Sequence, residues 1–167
     1  MWNTIAGGNN TLSSSGSSTG NFYPGEIPLY ACDGNINNKY TSFGPCTSAG
    51  MSGTCGLNTG FYRTPQRGAS LIIGFQICTS SSIPERDPVT ITLEGSNQPS
   101  SILNLGSSWT LIYNGPSGLA IDPGRLSCGI PQLFANSNWY LSYRFLVSAK
   151  RSVSSSVWYS DVLFIGY

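Results

Sequence analysis

The sequence predicts an all-β sandwich, on three observations. No stretch of helical length repeats its apolar residues at a 3.6-residue period. Short runs rich in β-branched and aromatic residues recur instead, one of them alternating apolar with polar. Turn formers separate the runs, with 20 Gly and 10 Pro in 167 residues. This length supports one domain with a real core.

Taken in order, the chain opens with a leader whose residues 9–21 are nearly all Gly, Ser, Thr and Asn. Such a stretch alone reads as a linker; residues 1–20 are expected to pack on a domain spanning 21–167. Gly16-Ser17-Ser18-Thr19-Gly20 matches the G-x-S-x-G nucleophile pattern, but that motif needs a histidine base and the chain has none. Asn9-Asn10-Thr11 is a single glycosylation sequon. After Phe22 to Glu26 and the loop around Asp33 comes a Gly/Ser/Cys-rich excursion from Ser42 to Gly60, and Phe61-Tyr62-Arg63-Thr64 resumes a strand pattern.

Ser70 to Thr79 is the first strong strand, apolar and β-branched. Val89 to Ser96 alternates, with Val89, Ile91 and Leu93 facing in and Thr90, Thr92 and Glu94 facing out. Further strands are expected at Ser108–Tyr113, Leu133–Asn136, Trp139–Val147 and Val157–Tyr167, with Trp109, Trp139 and Trp158 in the core.

Composition removes several function classes. Charged residues are 9% of the chain and the net charge is +1, so there is no clustered basic face for nucleic acid. Lys150-Arg151 is the only adjacent basic pair. No apolar run is long enough to span a bilayer, and no signal peptide opens the chain. The five cysteines, with no CxxC pair and no histidine, do not make a zinc site. An oxidised, extracellular setting fits them better than five buried thiols, with Cys46–Cys55 as the first expected disulfide and one thiol left over or bonded to another chain.

The stretch from Tyr30 to Thr41 concentrates oxygen-bearing side chains around Gly34. Asp33, Asn35 and Asn38 can turn toward one point there, as a hard cation such as Ca²⁺ requires. The same residues also make ordinary Asx turns on their own backbone. No Glu follows at EF-hand spacing. Asp161 is a bare carboxylate within a strongly apolar strand. Burying it is costly unless it is paired, and a cation at the Asp33 loop would pair it; alternatively it faces solvent on an edge strand.

Ala31-Cys32-Asp33-Gly34-Asn35, the Ile73-Gly74-Phe75-Gln76-Ile77 strand, Arg86-Asp87-Pro88-Val89 running to Glu94-Gly95-Ser96-Asn97, Trp109-x-Leu111-Ile112, Tyr140-x-x-Tyr143-Arg144 and Tyr159-Ser160-Asp161-Val162 occur in one ordered series. Over residues 20–167 that series resembles the discoidin-like, coagulation-factor C-terminal type domain and the related family 32-type carbohydrate-binding modules. The resemblance implies an eight-stranded antiparallel jelly-roll β-sandwich of the galactose-binding-domain-like class. It also implies a structural Ca²⁺ held by Asp33, Asn35, Asn38 and Asp161, with carbonyls from Tyr30 and Ser160. Asn38 stands where the family has a hydroxyl residue, Asp161 where it more often has Glu, and Tyr40 where it usually has Trp.

Sugar rings stack on aromatic faces while guanidinium and amide groups bond hydroxyls. The loops that resemble the family's binding loops offer Tyr23, Phe43, Tyr62 and Arg63 for this, with Phe22, Phe61 and Arg67 nearby. Loop packing is the competing role for each aromatic. Without His no Ser/His or Cys/His pair exists, and seven scattered acids do not suggest the paired carboxylates of a glycosidase. Arg86-Asp87 reads as a structural pair, and Arg144 as paired or stacked at the sandwich edge.

The expectation is a non-catalytic, extracellular, calcium-stabilised module, secreted or at the cell surface, that binds carbohydrate or glycoprotein. The alternative is a structural or adhesion module making protein contacts in a larger assembly. Membrane binding is disfavoured by the few lysines.

Overall fold

A computed structural model describes residues 2–5, 22–44 and 46–167. Residues 6–21, with the glycosylation sequon and most of the expected leader, lie outside the described residues. Within them the chain forms ten strands: β1 (Trp2–Ile5), β2 (Tyr40–Ser42), β3 (Thr59–Arg63), β4 (Ile72–Cys78), β5 (Pro88–Ser96), β6 (Thr110–Pro116), β7 (Gln132–Leu133), β8 (Ser142–Lys150), β9 (Val157–Tyr159) and β10 (Asp161–Gly166). The only helical turns among the described residues are short 3-10 segments, the first at Pro28–Cys32.

One layer is a five-stranded sheet in the order β1-β3-β8-β5-β6, and every pairing in it is antiparallel. The facing layer is built from β10-β4-β7 and the pair β2-β9. The expected all-β jelly-roll sandwich is thus present, with ten strands in place of eight. Short strands account for the difference: the expected final strand from Val157 to Tyr167 is two. Ser160 interrupts it by donating its N–H to the Cys78 carbonyl, at 3.0 Å. The chain thereby passes from pairing with β2 to pairing with β4.

Alternation delivers the core as expected. Ile91 and Leu93 of β5 are fully buried, facing Phe61 of β3, Phe145 of β8 and Phe75 of β4. Phe61 stacks on Phe145 at 5.6 Å, and Phe75 meets Phe145 edge-on at 6.0 Å, geometries that add to burial itself. β3 and β8 can approach so closely because residue 60 is glycine: a Cβ there would lie 1.9 Å from the Phe145 carbonyl oxygen.

Several expectations need correction. β7 is Gln132–Leu133, not Leu133–Asn136. Trp139 lies outside the strands and is 50% exposed, because β8 begins only at Ser142; the Asn97 amide bonds its carbonyl. Trp109 packs with Tyr62 and Leu103 in a separate small cluster. Two disulfides form, Cys46–Cys55 as expected and Cys78–Cys128, which leaves Cys32 free.

Candidate functional site

The 3-10 turn Pro28–Cys32 packs along β10 and buries Ala31 completely. It ends at Asp33, where Gly34 takes a φ of +78°, a left-handed conformation that glycine adopts at no steric cost. The loop then closes on itself. Asp33 Oδ1 accepts the Asn35 N–H at 2.9 Å, and Asn35 Oδ1 accepts the Asn37 N–H at 3.1 Å. Asn38 donates its amide to Asp33 Oδ2 at 2.7 Å. Asx-turn bonding is therefore the chemistry in place.

Asp161 arrives at this loop from β10. It is 1% exposed, which excludes the solvent-facing alternative. Its Oδ1 accepts the N–H of Val162, while its buried Oδ2 has no hydrogen-bond partner among the described residues. Burial raises its pKa and the charge of Asp33 adds to that; the backbone N–H groups of Gly34, Val162 and Asp33 pull the other way. Tyr40 is fully buried beside this region, edge-on to Tyr159 at 5.5 Å, as expected of core support. The Ser160 hydroxyl is committed to the carbonyls of Cys78 and Thr79, and Tyr30 is half-buried in the 3-10 turn.

This donor set fits a hard cation in kind: two carboxylates, one with an orphaned buried oxygen, and the amides of Asn35 and Asn38. Asn38 now turns its nitrogen to Asp33 and would have to present its oxygen instead. No group of three His, Cys, Asp or Glu side chains gathers anywhere among the described residues, so carbonyls and water would complete the shell.

Next to this clasp lies a cleft of ≈ 630 Å³. Its walls come from the 3-10 turn (Leu29), the end of β3 and the following turn (Arg63, Arg67), the start of β8 (Tyr143) and β10 (Phe164), with Ser70 before β4. Cys32 joins cleft to clasp. Arg63 donates to its sulfur at 3.0 Å, and burial raises the thiol pKa against that guanidinium, with Asp161 and Asp33 adding to the rise. The Tyr143 hydroxyl donates to the Ser70 carbonyl and accepts the Ile72 N–H.

The four expected ligand residues do not come together. Arg63 is exposed in the cleft. Tyr62, pointing to the other face of its sheet, is 4% exposed beneath Trp109, ring centres 5.6 Å apart. Phe43 is also buried, edge-on to the half-exposed Tyr23 at 6.4 Å. It lies by Thr59, which bonds Ser42, at the far end of β3 from Arg63. Tyr62 and Phe43 therefore offer no ring face to a sugar. Tyr143, Phe164 and Leu29 are the cleft residues that sequence reasoning missed. The strand character around Arg63 and Tyr143 was visible, but their meeting depends on the β3–β8 register, in which the two are partners.

Arg86 and Asp87 are not a pair. Asp87, fully buried, is held by Arg125 through two bonds of 2.9 and 2.7 Å and approached by Arg151 at 3.4 Å. Arg86 lies over the Trp158 ring at 4.2 Å, with Lys39 over the same ring at 3.9 Å. Arg144 pairs with Glu94 and lies 5.0 Å from the centre of the Trp109 ring, as expected.

No protein-family model matches the chain, and no curated protein matches it. Solved structures do match. CBM32-3 from a family 31 glycoside hydrolase from Clostridium perfringens aligns with a TM-score of 0.63 at 13% identity, covering 90% of this chain and 87% of that one. The chain has the fold of a family 32 carbohydrate-binding module. The CBM32 of AlyQ, in complex with 4,5-unsaturated mannuronic acid, aligns at 0.55 and 13% identity over 97% of each chain. The family 32 module of C. perfringens NanJ, in complex with galactose, aligns at 0.53 and 11% identity over 88% of each.

Proposed function

We propose that this domain is a non-catalytic, secreted or cell-surface module that binds carbohydrate in the cleft beside the Asp33 loop. The observation that carries the reading is the cleft itself: its lining combines the apolar side chains of Leu29 and Phe164 with the exposed Arg63 and Arg67 on a galactose-binding-like sandwich. Sugars need both, an apolar surface for the C–H face and fixed donors for the hydroxyls. The two disulfides support an extracellular setting. Among the described residues, no helix is long and apolar enough to cross a membrane.

The reading includes a structural Ca²⁺ at the clasp. Asp33 and Asp161 would supply the charge, Asn35 and Asn38 amide oxygens, and Tyr30 and Ser160 carbonyls. The ion would fix the Asp33 loop, and through Cys32 and Arg63 the wall of the cleft, without touching sugar. A shallow open site of this kind binds weakly, so several copies would act together.

A glycan array with calcium present tests the function. Binding to one sugar class, lost when Arg63 is replaced by alanine, is the expected result. No hit across galactosides, fucosides, amino sugars and uronides would remove the reading.

A further inference from the structure

The eight cationic side chains of the chain are not used alike. Lys39 pairs with Glu26, Arg125 with Asp87 and Asp122, Arg144 with Glu94, and Arg151 with Asp87. Arg86 lies on Trp158 and bonds the Ser155 hydroxyl. Lys150 donates to the carbonyls of Cys55 and Ser154. Arg63 and Arg67 remain: among the described residues neither makes an ion pair, both are exposed, and both line the same cleft. The cleft lining contains no Asp or Glu; Asp33 and Asp161 belong to the neighbouring clasp.

Two guanidinium groups without an ion pair among the described residues, Arg63 holding Cys32 through Nη1 alone, share one concave site with no acid in its lining and are complementary to an oxyanion. Each is a planar fork that takes a carboxylate or a sulfate through two parallel bonds. Leu29 and Phe164, in the same lining, suit the apolar face of a ring. At ≈ 630 Å³ the cleft is of ordinary size for a ligand site, about 300–1,000 Å³ in general. We infer that the ligand is an acidic saccharide, a pyranose chain whose carboxylate or sulfate group is held by Arg63 and Arg67.

This rests on the carbohydrate reading above and sharpens it to a charge class. The supporting turn makes the test clean. Arg67 sits in the turn Pro65–Gly68, closed by the Gly68 N–H to the Pro65 carbonyl at 3.3 Å, so truncating its side chain leaves the backbone bonding intact.

Calorimetric titration of the full chain, in calcium, against an oligouronide, a sulfated galacto-oligosaccharide and a neutral galacto-oligosaccharide tests the inference. At least one acidic probe should bind about tenfold or more tightly than the neutral one, weakening as salt is raised. Which of the two binds identifies the anion as carboxylate or sulfate. Arg67→Ala and Arg63→Ala should each weaken the acidic probe about tenfold, with an unchanged melting temperature for Arg67→Ala. Neutral sugar bound as tightly as both acidic probes overturns the charge class and leaves carbohydrate binding standing. Acidic binding indifferent to both substitutions overturns the site. No binding to any probe overturns the carbohydrate reading with it.

Discussion

Asp87 and Asp161 are both carboxylates sealed inside the sandwich, at 0% and 1% exposure, yet the chain treats them differently. Asp87 receives two guanidinium groups, and its bidentate bonds hold the Arg125 cation firmly in its charged form, above its ordinary pKa. Among the described residues Asp161 receives only backbone N–H groups and keeps one oxygen without a partner. A buried charge must be compensated. Where the chain supplies the counter-charge, the result is a closed structural network. Where it does not, a proton or an added cation would supply the missing counter-charge.

Breaking the closed network should have the largest effect. Asp87→Ala leaves two partly buried arginines facing an emptied site and should cost about 3–5 kcal/mol in urea unfolding. A loss below about 1 kcal/mol would mean that solvent and Asp122 compensate the two arginines as well as Asp87 does. Next is the cation at the open site. Calcium at about 100 times its dissociation constant should add about 2.7 kcal/mol to the wild-type stability, and Asp33→Ala should abolish that gain.

Asp161→Asn sharpens the contrast by giving opposite signs in two buffers. Burial raises the folded-state pKa of Asp161, so the folded protein binds the proton more tightly than the unfolded chain, and the charged form is a liability at neutral pH. In chelator the Asn variant should therefore melt no lower than wild type; in calcium it should melt lower. A lower melting temperature in both buffers would show that the backbone N–H groups alone compensate the carboxylate.

Lys150 is a third buried charge, compensated only by two carbonyls, and should show the smallest effect. Burial, aided by the charge of Arg86, pushes its pKa down from 10.5 to about 8. The unfolded chain then binds more protons than the folded one between those values, so stability rises with pH across that window. The wild type should gain on the order of 1 kcal/mol relative to Lys150→Met between pH 8 and pH 10, by urea unfolding at each pH. A constant difference would mean that the two carbonyls keep the ammonium at its ordinary pKa.

The sandwich was legible because β5 alternates and because β4, β8 and β10 are long enough to show apolar, β-branched or aromatic runs. β1, β2 and β9, at four residues or fewer, are defined by the partners they pair with and carry no periodic signal of their own. The meeting of Asp33 with Asp161 was legible through the family resemblance, with the cost of an unpaired carboxylate in an apolar strand in support. The partner of Asp87 was not: Arg125 lies 38 residues away in a loop, while the adjacent Arg86 invited a local pairing. The ligand aromatics failed for a related reason. Tyr62 does point away from the main core, but the Leu103–Trp109 segment folds back over it, and nothing in the local sequence of β3 records that cover.

The claim that joins clasp and cleft is that the orphaned carboxylate of Asp161 is completed by a cation held with Asp33. Thermal unfolding of the wild type and of Asp33→Ala, each with calcium and with chelator, tests it most directly. The wild type should melt several degrees higher in calcium and Asp33→Ala should melt at one temperature in both. Coincident wild-type curves in calcium and chelator would contradict the claim.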